Sequence, residues 1–76
     1  MEIRYSKQAI KFLEKQEKAV RNRIKNALLK LPAGDVKKLT GQPYFRLRVG
    51  DFRVLFTHDG HIIAVFKIDN RGQVYK

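Results

Sequence analysis

The chain has 76 residues, and its 17 Lys and Arg residues against seven Asp and Glu residues give a formal net charge of +10. It has no Cys, no recognisable signal peptide and no run approaching the ~20 apolar residues of a transmembrane helix, so we expect one soluble, cytoplasmic domain over residues 1–76. The charge is typical of proteins that bind nucleic acid, an anionic membrane or an acidic protein. Nucleic acid is favoured over a surface that is basic only for solubility, because Arg residues cluster on predicted strands.

The first part of the chain is predicted to form a short strand and two helices. Residues 2–5 suit a strand, Ser6 suits a helix N-cap, and residues 7–15 are good helix formers with an apolar stripe at one side. That stripe consists of Ala9, Ile10 and Leu13. A second helix is predicted from about Glu17 until Pro32, because apolar residues recur there on one helical face. They are Val20, Ile24, Ala27, Leu28 and Leu31. The two helices should form an amphipathic hairpin that covers a sheet.

Residues 44–56 have the pattern of a β-hairpin. Two alternating runs of aromatic, β-branched and charged residues flank Gly50-Asp51, and Gly at the first central position suits a two-residue type II′ turn. This turn places Arg48 opposite Arg53. One face of the hairpin is then apolar, with Phe45, Leu47, Val49, Phe52, Val54 and Phe56. The other face carries Tyr44, Arg46, Arg48, Arg53 and Leu55. Because like charges opposite each other destabilise a sheet, a polyanion bound to this second face would relieve the repulsion.

The segments on either side of the hairpin complete the predicted fold. Before it, we expect Val36 to Leu39 to form one turn. After it, Asp59-Gly60 predicts a type I′ turn into residues 61–68, a run that is apolar on both faces and therefore central in the sheet. Counting from this turn places Arg53 opposite Phe66. The same count puts Ile63 and Val65 on the core face, and Ala64, Phe66 and Ile68 beside the arginines.

The predicted fold class is α+β, with the element order β-α-α-β-β-β. The sheet is small, twisted and mostly antiparallel, with four main strands and both N-terminal helices packed on one face. On that face we expect contacts between two sets of apolar residues. The strand set is Phe45, Leu47, Val54, Phe56, Ile63 and Val65, and the helix set is Ile10, Leu13, Ile24 and Leu28.

The chemistry-bearing residues are arginines and one tyrosine. The sequence has no catalytic Cys, no Gly-rich phosphate loop and no cluster of metal ligands, and His58 and His61 at the predicted turn have no evident partners. The candidate site consists of Arg46, Arg48, Arg53, Arg71 and Tyr75. Guanidinium groups bind phosphate bidentately but are poor general acids or bases. Proton transfer would fall to Tyr75, whose phenol pKa of about 10 would be lowered by surrounding cations. On the residues alone, binding without catalysis is the commoner outcome for a basic sheet.

Residues 44–56, followed by Asn70 and the ending Arg-Gly-Gln-Val-Tyr at 71–75, resemble the RelE-type toxins of the RelE/ParE superfamily. The opening strand, the helical hairpin and Leu39-Thr40-Gly41 are similar too. The resemblance implies an endoribonuclease that cuts messenger RNA in the ribosomal A site by attack of a 2′-hydroxyl on the adjacent phosphate, without a metal. It also implies an acidic antitoxin as partner. We expect no membrane partner and no cofactor.

The resemblance also implies a role for each candidate residue. Arg46 and Arg48 match two basic residues of the second strand, which are often Lys. Arg53 matches the Arg that contacts the scissile phosphate, and Arg71 matches the Arg after the last long strand. Tyr75 matches the C-terminal Tyr that orients or deprotonates the 2′-hydroxyl. Two other functions stay open: a ParE-like toxin that poisons DNA gyrase by binding, and an inactive module that retains only RNA or antitoxin binding.

Overall fold

The computed structural model describes residues 2–70. Its elements in chain order are β1 (Glu2–Tyr5), α1 (Lys7–Glu14), α2 (Lys18–Leu29), β2 (Asp35–Lys38), β3 (Phe45–Val49), β4 (Phe52–His58) and β5 (Ile62–Asn70). Within these residues the strands form a five-stranded sheet in the order β1-β5-β4-β3-β2. The β1–β5 pair is parallel and the other pairs are antiparallel, which confirms the predicted fold class. No helix in residues 2–70 is long and apolar enough to span a membrane.

Helix α1 is fixed to the sheet by polar side chains at its beginning. The Oγ of Ser6 accepts a hydrogen bond from the Ala9 amide at 3.1 Å, as predicted for an N-cap. The same Oγ donates to the Phe66 carbonyl at 2.9 Å. Two residues later, the Gln8 side-chain amide donates to the Ile68 carbonyl and accepts from the Ile68 amide, both at 2.9 Å. Strand β1 ends at residue 5, so these side chains satisfy the backbone of β5 beyond it.

The core lies between the two helices and one face of the sheet. It consists of Ala9, Leu13, Ile24, Leu28, Leu47, Val49, Val54, Phe56, Ile63, Val65 and Ile68. Most of the predicted contacts are therefore confirmed. Ile10 is an exception, since 45% of it is exposed. In the short helix α1 the buried positions are Ala9 and Leu13, four residues apart, and Ile10 lies about 100° further around the helix axis than Ala9.

The turn between β3 and β4 has the predicted geometry. Val49 pairs with Phe52, which leaves Gly50 and Asp51 as the two turn residues. Gly50 has a φ of +60°, and within residues 2–70 no residue other than glycine has a positive φ. This combination defines a type II′ turn. The register that follows from it places Arg48 opposite Arg53, as predicted.

The segment before the hairpin is an edge strand, so the prediction of a turn at residues 36–39 was wrong. Strand β2 pairs with β3, with Val36 opposite Leu47. Val36 packs against the core, and the other three residues of β2 are exposed. A four-residue strand with one apolar position gives no readable period-two pattern. It forms because it supplies hydrogen-bond partners for the outer edge of β3.

The connection between β4 and β5 is longer than predicted. His58 pairs with Ile63 instead of His61, so four residues separate the last paired residues of β4 and β5. The Asp59 side chain causes this, because its Oδ1 accepts hydrogen bonds from the amides of His61 and Ile62, each at 2.9 Å. A side chain that binds the backbone two and three residues ahead replaces the tight turn that Asp-Gly predicts.

A β-bulge changes the register of β5 a second time. The pairing shifts between Leu55 and Phe56 of β4, and Phe66 of β5 is left without a partner on β4. Arg53 therefore lies opposite Asp69, and the predicted Arg53–Phe66 pair was wrong. Beyond the bulge the alternation is inverted, so Ile68 is fully buried in the core and does not lie beside the arginines.

The Asp59 contacts predict a pH-dependent change at the β4–β5 connection. The hydrogen bond from the Ile62 amide, followed by that from His61, lowers the pKa of Asp59 below its ordinary value. A carboxyl whose pKa is lowered in the folded state stabilises that state fully above the ordinary pKa of about 3.9. This stabilisation is lost as the pH falls through the lowered pKa. We expect the His61 and Ile62 amide resonances to shift in that acidic range. NMR titration measures this, with Asp59→Asn as the control, because the amide does not titrate. Equal shifts in the control would contradict the assignment.

Candidate nucleic-acid interface

The face of the sheet opposite the helices carries most of the charged strand residues. We call it the open face, since no helix in the described part of the chain covers it. Side chains alternate along each strand, and the strand pairings then assign six cations and three carboxylates to this face. The cations are Arg4, Lys37, Arg46, Arg48, Arg53 and Lys67, and the carboxylates are Glu2, Asp35 and Asp69. The open face is therefore net positive.

One row of charges crosses four strands of the open face. Asp35 lies opposite Arg48, Arg48 opposite Arg53, and Arg53 opposite Asp69. The two arginines whose repulsion the sequence predicted are thus flanked by a carboxylate at each end. These carboxylates relieve part of the repulsion within the protein itself, so the repulsion alone does not require a bound polyanion.

Arg53 is held by Asp69 through two hydrogen bonds. Its Nε donates to Oδ1 at 3.2 Å and its Nη2 donates to Oδ2 at 2.7 Å. Both side chains are about one quarter exposed, so the pair is partly shielded from solvent. A bidentate pair of this kind fixes the plane of the guanidinium group. The edge formed by Nη1 and Nη2 points away from the carboxylate and can bind a second anion.

Asp69 is a site residue that the sequence reasoning missed. It comes opposite Arg53 only because of the longer connection and the bulge at Phe66, and neither has a recognisable sequence signal. The one available hint was that Asp69 is an acidic residue near the end of a strand whose other residues are mostly apolar.

Arg46 is the most buried of the three arginines, and its pairing is incomplete. Its side chain is 20% exposed, and its Nη2 lies 3.4 Å from Oδ1 of Asp35, whose own side chain is 59% exposed. Its Nε is buried and has no hydrogen-bond acceptor within residues 2–70. A buried donor without an acceptor costs about 1–3 kcal/mol.

The structure brings three of the five predicted site residues together. Arg46, Arg48 and Arg53 lie on neighbouring positions of β3 and β4 on one face, and Arg48 is exposed. Arg71 and Tyr75 lie outside the described residues. Within residues 2–70 there is no group of three or more His, Asp or Glu side chains that could hold a metal ion.

His58 lies away from the arginines. It is on the core side of β4 by alternation, at the exposed end of the strand, with its ring 5.0 Å from that of Phe45. His61 is in the exposed connection that follows. Neither histidine lies beside the three arginines of the open face.

Known proteins resemble the chain in both sequence and fold. Residues 3–75 match the family profile of the ParE toxin of type II toxin–antitoxin system, parDE. A chain of the RelB–RelE antitoxin–toxin complex from Methanococcus jannaschii is 27% identical with a TM-score of 0.73, over 95% of this chain and 94% of that one. A chain of the archaeal RelE–RelB complex from Pyrococcus horikoshii OT3 is 28% identical with a TM-score of 0.75, over 96% of this chain and 97% of that one.

A more distant structure shares the fold. A chain of the intact E. coli RelBE toxin–antitoxin complex has a TM-score of 0.69 at 20% identity, over 91% of this chain and 94% of that one. No curated protein matches the sequence significantly.

The Arg53–Asp69 pair predicts a measurable contribution to stability. Asp69→Asn keeps the shape of the side chain but removes its charge, and it leaves the Arg48–Arg53 repulsion uncompensated on that side. We expect the free energy of unfolding to fall by about 1 kcal/mol, which lowers the melting temperature by roughly 4–8 °C in a domain of this size.

The matched control is Asp35→Asn at the other end of the row. Asp35 is more exposed and makes one long contact, so its loss should change stability by less than about 0.5 kcal/mol. Thermal and urea unfolding followed by circular dichroism measure both variants. Equal losses would mean that the bidentate geometry adds nothing.

Proposed function

Since the chain belongs to the RelE/ParE superfamily of toxins from type II toxin–antitoxin systems, we propose that it is a ribosome-dependent endoribonuclease that cleaves messenger RNA in the A site. The observation that carries the proposal is the grouping of Arg46, Arg48 and Arg53 on the open face. Three guanidinium groups on one uncovered surface suit a phosphodiester strand, because each can bind phosphate oxygens bidentately.

In the proposed reaction, the 2′-hydroxyl of one nucleotide attacks the adjacent phosphorus atom. The bond from phosphorus to the 5′-oxygen of the next nucleotide breaks, which leaves a 2′,3′-cyclic phosphate and a 5′-hydroxyl. The 2′-hydroxyl gives up its proton to a base, and the departing 5′-oxygen takes up a proton. Negative charge develops on the non-bridging oxygens, so a fixed cation beside them lowers the barrier.

The described residues suit parts of this reaction. Arg53 would bind the scissile phosphate through the Nη1–Nη2 edge that Asp69 leaves accessible. Asp69 then acts as a positioning residue, because it holds the guanidinium plane before the substrate arrives. Arg46 and Arg48 would bind neighbouring phosphates. Arg71 as a further phosphate ligand and Tyr75 as the group that moves the 2′-hydroxyl proton complete the proposal.

A ParE-like gyrase poison is the second candidate function. It is supported by the family profile, which is that of a ParE toxin. Such a protein would act by binding alone and would need no proton-transfer group. In that case the arginines could still bind, but Tyr75 would have no role in proton transfer; the occurrence of all five residues together is the reason that the ribonuclease is the first choice.

An acidic antitoxin is the proposed protein partner. The structures from M. jannaschii and P. horikoshii are complexes of RelE with RelB, and this chain has a formal charge of +10. An antitoxin that is partly disordered alone would wrap the toxin as it folds on binding.

The charge predicts a salt-dependent association with this antitoxin. Raising the ionic strength from about 0.01 M to 0.15 M shortens the Debye length from about 30 Å to 8 Å, so the association rate should fall by about 10-fold or more. Dissociation should change less. Stopped-flow mixing at several salt concentrations measures both rates, and an association rate that is independent of salt would argue against charge steering.

The proton-transfer assignment predicts a selective loss in Tyr75→Phe. The variant keeps the ring but lacks the hydroxyl, so single-turnover cleavage on programmed ribosomes should fall by roughly 10²–10⁴-fold. Ribosome affinity should stay almost unchanged, since the arginines make the phosphate contacts. Mapping the 3′ ends of the message gives the cleavage site, and binding is measured separately.

Arg53→Ala is the matched comparison. It should lose roughly 10²–10³-fold in cleavage, as for a single lost donor to a developing charge, and some affinity as well. Full cleavage by Tyr75→Phe would remove Tyr75 from the mechanism. A wild-type protein that leaves the message intact but traps gyrase on DNA would establish the second candidate function.

A further inference from the structure

The open face contains two aromatic side chains that the arginine site does not use. The rings of Tyr44 and Phe66 lie edge to face, with their centroids 5.1 Å apart and their planes at 79°. Phe66 is 39% exposed. Leu55, on the same face opposite Arg46, is only 7% exposed but does not belong to the core between helices and sheet. The open face thus has a small apolar centre of its own.

The position of Phe66 is fixed by the backbone. Phe66 is the extra residue of the β-bulge, and its carbonyl accepts the hydrogen bond from Ser6 Oγ. Two residues later, Gln8 binds both backbone groups of Ile68. Bulges commonly redirect a side chain next to a functional site. Here the bulge leaves an aromatic ring partly exposed at the surface.

The aromatic pair continues the line of arginines along β3. Tyr44 directly precedes β3, and Arg46 and Arg48 follow it at alternate positions of that strand, so each step along an extended chain is about 7 Å. Lys67 follows Phe66 and lies opposite Leu55. A chain of phosphates bound along the arginines would therefore bring at least one base of the same strand within reach of the rings.

We propose that Tyr44 and Phe66 form a stacking platform for an unpaired base of the RNA strand whose phosphates bind the arginines. Bases of single-stranded RNA stack on aromatic side chains beside positively charged grooves, and this binding tolerates any base because every base has a π-face. Cationic residues lie next to the rings on the open face, since Lys67 follows Phe66 and Arg46 lies opposite Leu55. The apolar centre of a protein interface is depleted of charged residues, so this surface suits a base of a nucleic acid better than a protein side chain. This proposal depends on the proposed function in one respect only, which is that the ligand is RNA.

The test uses a ten-nucleotide single-stranded RNA that carries the fluorescent base 2-aminopurine, scanned through each position in turn. Stacking on the platform should quench the fluorescence at one position when the wild-type protein binds. Phe66→Leu keeps an apolar side chain but loses the ring, and it should abolish the quenching at that position and weaken RNA binding roughly 5- to 150-fold. Phe66→Trp restores a ring and should restore both signals.

Two controls separate stacking from other causes. Leu29→Ala removes an apolar side chain that is 70% exposed on α2, and it should change neither signal. An RNA of equal length with an abasic nucleotide at the quenched position should bind the wild type as weakly as the normal RNA binds Phe66→Leu. Equal affinity of Phe66→Leu and wild type for the normal RNA, with quenching retained, would overturn the proposal. Weakened binding to an antitoxin with unchanged RNA binding would overturn it too and would assign the rings to the protein partner.

Cleavage of programmed ribosomes is measured in parallel with the same variants. Quenching without cleavage by the wild type would support the platform while the ribonuclease proposal fails. Cleavage by the wild type without quenching at any position would remove the platform and leave the ribonuclease proposal intact.

Discussion

One-sided burial is the constraint on which the rest of this structure depends. Both helices pack on the same face of the sheet, so each strand must place its apolar residues on that face. A shift of β3 by one residue would bury Arg46 and Arg48 and expose Leu47, which is 1% exposed. The hydrophobic pattern therefore fixes the register of β3 against β4, and the register in turn brings Arg48 and Arg53 together on the open face. The same burial that folds the domain assembles its cations.

Within residues 2–70, the β-bulge is the one place where this alternation changes phase. Up to Val65 the odd-numbered residues of β5 face the core, and beyond the bulge the even-numbered Ile68 does. This change has two structural consequences for β5. It places Asp69 opposite Arg53, and it leaves Phe66 at the surface between the two phases. The backbone contacts from Ser6 and Gln8 hold this part of β5 where β1 has already ended.

The sequence predicted the parts of the fold that arise from local pattern. The Gly50 turn, the β3–β4 register, the Ser6 cap and the buried stripe of α2 each have a signal within a few residues. Strand β2 and the position of Ile68 were missed, because they depend on a neighbouring strand and on contacts between residues 60 positions apart. The site was likewise predicted only where a local pattern existed. The arginines of the β3–β4 hairpin were correctly assigned to one face, whereas Asp69, the partner of Arg53, was not found.

The partner of Arg53 also explains why an arginine, and not a lysine, suits this position. A lysine ammonium paired with Asp69 would be a point charge already neutralised by one carboxylate. A guanidinium group has two separate edges, so it can bind a carboxylate through Nε and Nη2 and still offer two donors to a phosphate. In the proposed reaction, the aspartate would reduce the net charge beside the substrate, but it would also limit the rotational freedom of the Arg53 side chain before the phosphate binds. Affinity for a ground-state phosphate would thereby be exchanged for orientation, and orientation is what stabilises charge that develops only in the transition state.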